Sequence, residues 1–407
     1  MPSRAAWASV ALLLLGLAPA CADDALEDGA GGGSDVAETG VGAGDAAGGS
    51  SGDGGSPPAT TGATTTTGSS GDGGGTTTVT GTTTTGGGEG GAASCPPVPA
   101  CDTPLPDLGP ERDFEHTSSS IFSATSNPHH RGRDLFVNPG EPVWVIGKFT
   151  YGLVDKDLKD EEVDVWMLRD CAGTWEKVGT SITTEEGAHP TVEGVEDSGG
   201  WVYFQLPSNI QLGLGRHRFE LVVAGDLSHV PVYVDVVEPG TPIIVSDVDG
   251  TLTTSENEEF TALLTGDTPQ ANPDAATVLH TLADKGYRIF YLTARPEFLV
   301  ERTREFVRDR GFPPGLVHTT LNTTGATGEE AVAYKSGELA AIAARGLVPS
   351  WAFGNTITDA EAFASAGIEP ADQRVMYLFE DPDFGSRTIP SYTSLLPELD
   401  ALPLVCD

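Results

Sequence analysis

The chain has 407 residues, enough for two or three domains, and a net charge of −37 from 59 acidic against 22 basic side chains. That balance excludes a nucleic-acid partner, whose affinity comes from neutralising phosphates with Lys and Arg, and argues against broad electrostatic adhesion to anionic lipid. Residues 22–94 hold ten Asp or Glu and no Lys, Arg or His, so part of the acidity belongs to a stretch that reads as unfolded.

At the N-terminus, Arg4, the apolar core Ala11–Leu17 and the small residues Ala18-Pro19-Ala20 read as an export signal over 1–21. Leu17-Ala18-Pro19-Ala20-Cys21 resembles a bacterial lipobox, with Leu one place further from the Cys than the consensus. The resemblance implies lipidation of Cys21 and an exported, membrane-anchored bacterial lipoprotein; the alternative is ordinary secretion. Residues 22–94 are low-complexity runs of Gly, Thr, Ser, Ala and Asp that cannot bury enough apolar surface to offset their ordering entropy. They are expected as a disordered linker with a reach of roughly 45 Å. Setting Cys21 aside leaves Cys95, Cys101, Cys171 and Cys406, which allow two disulfides in three connectivities. The first choice is Cys95–Cys101 across CPPVPAC, with Cys171–Cys406.

Residues 95–240 are expected to form an all-β domain. Segments 142–150, 162–169, 199–206, 216–224 and 229–237 are β-branched and aromatic, and turn residues separate them. About seven short strands in this length suggest an immunoglobulin-like sandwich. His129-His130 is the one metal-like pair here, but adjacent side chains in an extended loop diverge, so both are read as loop residues.

From 241 to 407 strands alternate with helices, the mark of a parallel α/β sheet. The first strand, Ile243-Ile244-Val245, runs into Asp247-Val248-Asp249-Gly250-Thr251. Residues i and i+2 of an extended chain point the same way, so the two carboxylates share one volume, and that is costly without a cation. A divalent metal with a phosphoryl substrate makes the arrangement favourable. The chemistry that fits is phosphoryl transfer, with Asp247 as nucleophile and Asp249 as acid and base. D-x-D-G is also calcium-like, but the EF-hand pattern places Gly sixth, and here it is fourth.

Three later strand ends add to it. Tyr291-Leu292-Thr293-Ala294-Arg295 closes a strand with a hydroxyl, Lys335 opens a helical stretch, and Gly354-Asn355-Thr356-Ile357-Thr358-Asp359 follows another apolar run. Each has a plainer reading: Thr293 as a helix cap, Lys335 as a solvated helix residue, Asp359 as a first-turn acid. In this order, DVDGT, YLTAR, Lys335 and GNTITD resemble the haloacid dehalogenase superfamily and, more closely, the lipin-type phosphatidate phosphatase domain, over about 240–390. That resemblance implies a Rossmann-like fold and phosphatase activity, with Asp247 as nucleophile and Asp249 as acid/base. It implies phosphate contacts from Thr251, Thr293, Arg295 and Lys335. It also implies Mg2+ held by Asp247, Asn355, Asp359 and the Asp249 carbonyl.

The spacing leaves no room for a large cap, either after Thr253 or between Pro296 and Tyr334. An open site suits a substrate presented on a surface, so the expected substrate is a lipid phosphomonoester at a membrane. Arg295, Arg302, Arg304, Arg308, Arg310 and Lys285 form one cationic cluster that either draws in a lipid phosphate or is a solvated helix face. The alternatives are a phosphatase for soluble or protein phosphates, a non-catalytic phosphatidate-binding module, and an adhesion protein built on the β-domain.

Overall fold

The computed structural model describes residues 94–152, 154–254 and 267–406. The signal-like stretch and nearly all of the 22–94 linker lie outside the described residues. A helix, α1 (Thr117–Thr125), precedes ten strands: β1 (Arg131–Arg133), β2 (Leu135–Val137), β3 (Trp144–Lys148), β4 (Thr150–Tyr151), β5 (Lys156–Asp157), β6 (Glu162–Leu168), β7 (Glu176–Ile182), β8 (Trp201–Gln205), β9 (Gly215–Val223) and β10 (His229–Val236). They form a three-stranded sheet, β1-β3-β8, and a five-stranded sheet, β2-β10-β9-β6-β7, with β4 and β5 paired apart.

Period-two alternation drives this packing. Val230, Val232, Val234 and Val236 are all buried, and they meet Val163, Val165, Phe219 and Leu221 in one core. Each such side chain contributes about 1.5–3 kcal/mol through the area it removes from water. The segments expected as strands are strands. β1, β2 and β7 were not anticipated: the first two have three residues each, and β7 (EKVGTSI) is too polar to show an apolar face. Asp134, between β1 and β2, is where the chain passes from one sheet to the other, and β2 then pairs parallel with β10. His130 lies buried at this edge, with Nε2 2.8 Å from Ser228 Oγ.

The six-stranded sheet that follows is wholly parallel: β11 (Pro242–Ser246), β12 (Arg288–Leu292), β13 (Leu316–His318), β14 (Val348–Gly354), β15 (Arg374–Tyr377) and β16 (Arg387–Ile389), in the order β13-β12-β11-β14-β15-β16. Alternation sorts side chains to its two faces. Ile244, Ile289, Tyr291, Trp351 and Phe353 pack against α2 (Ala275–Asp284), α3 (Val300–Asp309) and α6 (Leu396–Asp400). Ile243, Val245, Phe290, Leu292 and Ala352 pack against α4 (Gly328–Ala344) and α5 (Ile357–Ser365). Between Pro296 and Tyr334 the chain is taken up by a short turn of helix (Glu297–Leu299), α3, β13 and the start of α4, so no cap is inserted there. The other cap position includes 255–266, outside the described residues.

The described residues make one compact unit. Phe136 and Val237 of the sandwich join the core of the parallel sheet. The disulfides are Cys95–Cys406 and Cys101–Cys171, not Cys95–Cys101 with Cys171–Cys406. The first ties the start of the described chain to its end across 311 residues, a proximity that no local spacing announces. No helix among the described residues is long and apolar enough to cross a membrane.

One link across the two halves is acid-sensitive. Glu338 of α4 accepts from Arg133 of β1 at 2.6 Å and pairs with His318 at 2.7 Å. Burial alone would raise its carboxyl, but Arg133 and His318 outweigh burial and hold it at about 2. A carboxyl depressed in the folded state stabilises fully above its unfolded pKa, and the contribution is lost as pH falls towards 2. At 1.36 kcal/mol per unit this amounts to about 3 kcal/mol. Glu338→Gln is expected to be destabilised relative to the parent at pH 6, with the gap narrowing steadily below about pH 4.3. Urea unfolding at pH 6 and pH 3 checks this; an equal gap at both would show the link to be pH-independent.

Candidate active site

Four strand ends on the carboxyl edge of the parallel sheet bring the motif residues together, the edge where ligands bind in such sheets. Asp247 follows β11 at the centre of the sheet. Its amide donates to the Phe353 carbonyl at 2.9 Å, which continues the β11–β14 pairing one residue past the strand. Gly250 then takes a left-handed conformation, φ 71°, that lets the chain turn back over its own strand end. Thr293 follows β12, Asn355 follows β14, and Lys335 reaches in from the second turn of α4.

The centre of the site is a buried ion triad. Lys335 Nζ donates to Asp247 Oδ1 at 2.6 Å and to Asp359 Oδ1 at 2.5 Å. Asp247, Lys335 and Asp359 are 5%, 3% and 1% exposed. Burial above all, with Asp359 and Asp249 adding to it against the opposing pull of Lys335, raises the Asp247 carboxyl to about 7. Burial pulls the Lys335 ammonium down, but the two carboxylates outweigh this and hold it above its ordinary value. Asp359 has a second duty. Its Oδ2 accepts from the Asn355 and Thr356 amides and the Thr356 hydroxyl, closing a capping box at the start of α5. Gly354 is required beside it, since a Cβ there would lie 2.5 Å from Asp359 Cβ.

Thr251 Oγ1 stands 3.0 Å from Asp247 Oδ2 and 2.9 Å from Asn355 Oδ1. One hydroxyl proton serves two acceptors, so three side-chain oxygens converge on one point, a donor set that suits a hard cation such as Mg2+. Among the described residues no three His, Cys, Asp or Glu side chains are grouped to hold a metal. A magnesium site needs only one or two carboxylates, with carbonyls and water completing it. Of the residues expected as ligands, Asp247 and Asn355 face this point, whereas Asp359 turns to Lys335 and its own helix cap.

Asp249 is gripped on both oxygens. Arg295 donates from Nε to Oδ2 at 2.8 Å and from Nη2 to Oδ1 at 2.7 Å, and Thr293 Oγ1 donates to Oδ2 at 3.0 Å. Arg295 is itself held by Thr303 Oγ1 at 2.8 Å. Thr293 and Arg295, expected to contact phosphate, are therefore turned onto Asp249. The cationic cluster does not form. Arg304 faces Asp134 and Glu301, Arg302 pairs with Glu305, Arg308 with Asp309, Arg310 donates to the Pro269 and Thr268 carbonyls, and Lys285 to the Asp400 carbonyl. Three residues beyond the motifs hold the DGT loop: Tyr392 donates to the Thr251 carbonyl at 2.9 Å, Asn272 to Thr251 and Thr253 at 2.7 and 2.8 Å, and Ser246 to Asp247 at 2.8 Å. In sequence Asn272-Pro273 marks only a helix start, and nothing marks Tyr392.

Comparison with known proteins places these two folded regions. Residues 244–376 match the family model "PITM 1-3, LNS2 domain", and residues 128–236 match "PITM 1-3, beta-sandwich domain". The LNS2 domain is a haloacid dehalogenase-like phosphatase domain related to the lipin catalytic domain, so the specific match is to LNS2 rather than to lipin itself. Membrane-associated phosphatidylinositol transfer protein 1 of Rattus norvegicus is 32% identical over 205 residues, 50% of this chain and 15% of that protein. Protein retinal degeneration B of Drosophila melanogaster is 29% identical over the same coverage. This chain therefore spans about 15% of the length of the relatives it matches. A solved structure of titin kinase and its flanking domains aligns at TM-score 0.16, with 11% identity over 29% of this chain and 22% of that one, too slight to bear on the fold.

The expectation of an exported, lipid-anchored bacterial lipoprotein with a signal peptide is overturned by these relatives, which are animal proteins, the rat one named as a membrane-associated transfer protein. Over 128–236 and 244–376 the chain is similar, in two consecutive regions, to the β-sandwich and LNS2 domains of the PITM 1-3 proteins.

Proposed function

We propose that the α/β domain hydrolyses a phosphomonoester, most naturally phosphatidate or a related lipid phosphate presented at a membrane surface. The observation that supports this is the buried Asp247 carboxylate at the tip of the central strand, with the Lys335 ammonium 2.6 Å away. Asp247 attacks phosphorus and forms an aspartyl-phosphate as the bond to the lipid oxygen breaks. Asp249 protonates that oxygen, then takes a proton from the water that frees phosphate and restores Asp247. Lys335 neutralises charge on Asp247 and on the phosphoryl oxygens. Asp247, Asn355 and the Asp249 carbonyl would hold Mg2+, which would supply further neutralisation of the phosphoryl charge, while Asp359 stays with Lys335 and its helix cap.

A second reading is a phosphate-lipid-binding domain without turnover. The grip on Asp249 favours it: with Arg295 and Thr293 in place, neither oxygen is aimed at a leaving group. The relatives, named as transfer proteins, favour it too. Full-length chain with Mg2+ is expected to release phosphate from phosphatidate in mixed micelles faster than from p-nitrophenyl phosphate, and Asp247→Asn is expected to release none. Equal release by Asp247→Asn would end the phosphatase reading. Phosphatidate-vesicle binding with no release from either substrate would establish the second.

A further inference from the structure

The acid/base carboxylate is linked to the sandwich domain through a short, stiff strap. Arg295, which grips Asp249, is followed by Pro296 and Glu297. Proline fixes its own φ and restricts the residue before it, so a shift of Glu297 passes to Arg295 rather than being absorbed between them. The strap is fastened along one side by backbone bonds: Thr320 N and Oγ1 donate to the Arg295 carbonyl at 3.0 and 2.8 Å, Ala326 N to the Ala294 carbonyl at 2.9 Å, and Glu297 N to the Asn322 carbonyl at 2.8 Å.

On its other side the sandwich holds it. Glu297 is 4% exposed, and its Oε1 accepts from Arg131 Nη2 of β1 at 2.7 Å, with Lys148 Nζ of β3 at 3.9 Å. Glu297 Oε2 is buried without a hydrogen-bond partner among protein atoms. Arg131 is aimed by its own partners: Nη1 and Nη2 donate to Asp155 at 2.9 and 2.5 Å, and Nη1 to Thr150 Oγ1 at 3.1 Å. A small pocket of about 20 Å³, lined by Arg131, Glu297, Thr319 and Thr320 among others, lies at this junction.

We infer that Glu297 is a positioning residue, and that its ion pair with Arg131 lets the sandwich domain set where the Arg295 guanidinium sits on Asp249. A carboxylate buried with one oxygen unpartnered is a poor device for stability alone, since its desolvation is only partly offset. Its geometry is that of a tether, running from a rigid strand of one domain to a loop of the other. This rests on the phosphatase reading only where turnover is measured; the placement of Arg295 can be read without it.

The test is the Nε–H resonance of Arg295 in the full chain, assigned by its loss in Arg295→Lys. Glu297→Gln is expected to shift that resonance and speed its exchange with water by about tenfold or more, as a released ion pair opens. Where phosphate release is measurable, kcat is expected to fall by about tenfold to a hundredfold with KM within about twofold, the mark of a misplaced group rather than lost binding. The charge swap Arg131→Glu/Glu297→Arg should restore part of kcat. If Glu297→Gln does not fold, Arg131→Lys serves: a single ammonium cannot span both Asp155 and Glu297, so it should show the same loosening. An unchanged Arg295 resonance in a folded variant overturns the inference. Absent phosphate release with a displaced resonance overturns only the phosphatase reading.

Discussion

Lys335→Met is expected to destabilise the fold by about 3–5 kcal/mol, the range for removing one partner of a buried ion pair. The ammonium stands between two carboxylates whose side chains are 6% and 1% exposed. Without it Asp247 and Asp359 face one another in low dielectric. Both keep other partners, Thr251 for Asp247 and the helix-cap amides for Asp359, but those satisfy hydrogen bonds and do not supply a positive charge. The loss should therefore be non-additive. Asp247→Asn removes one of the opposed charges, and Asp359 alone is still favoured at the N-terminus of α5 by the amides and the helix dipole. The double variant Lys335→Met/Asp247→Asn is expected to recover at least about half of what Lys335→Met loses, a coupling of about 2 kcal/mol in a double-mutant cycle. Urea unfolding of the four proteins measures it. A Lys335→Met variant within about 1 kcal/mol of the parent, or a cycle that closes additively, would show that the triad is not held by charge.

That Asp247, Lys335 and Asp359 come near one another was legible in the sequence, because each sits at a strand end or early in a helix; that Lys335 pairs with Asp359 was not. Ile243-Ile244-Val245 before DVDGT, the apolar run before Thr293, and Trp351–Phe353 before GNTITD each announce their own local geometry. A parallel sheet then aligns those ends without further instruction. What was not legible depends on packing between distant segments. Arg295 lies 46 residues from Asp249, and contacts made far along the chain, with the 319–326 loop and Thr303 among them, help bring the guanidinium onto a carboxylate rather than into open solvent. The supposed basic patch failed because its members are spent on separate partners: Arg302 leaves α3 well round from Arg304, and although Arg304 and Arg308 share a face, Arg304 is buried against Asp134 and Glu301 while Arg308 stays exposed beside Asp309. Cysteine pairing failed likewise, since the meeting of Cys95 with Cys406 reflects where the two ends of the described chain lie. The motif residues alone led to the broader resemblance, and the match of residues 244–376 to the LNS2 model was needed for the narrower one.

Asp134→Ala is the change expected to part the two halves of the molecule. Asp134 is fully buried at the crossover between β1 and β2. Its Oδ1 accepts from Arg304 Nη2 at 2.6 Å and from the Tyr233 amide at 2.9 Å; its Oδ2 accepts from the Val317 amide at 3.0 Å. Val317 belongs to β13, the edge of the parallel sheet, whose outward-facing donors would otherwise invite pairing with another chain. One carboxylate thus ends that sheet, anchors β10 and neutralises a cation from α3. Truncation leaves two buried amides without acceptors at about 1–3 kcal/mol each, and an arginine short of one of its two counter-ions. Glu301 still holds Arg304, so the charge penalty is partial. A total loss of about 4 kcal/mol or more follows, concentrated at the junction. Unfolding should then cease to be a single transition, because each half keeps its own core while their shared surface fails first. Asp134→Asn retains one acceptor oxygen and should lose less. Amide exchange is the decisive measurement: Val317 is expected to lose protection in Asp134→Ala well before the amides of β11 and β12 do. If Val317 stays as protected as in the parent, the carboxylate is not what closes that edge, and the sandwich holds the sheet through the Arg133–Glu338 and Arg131–Glu297 pairs and the apolar contact of Phe136 and Val237.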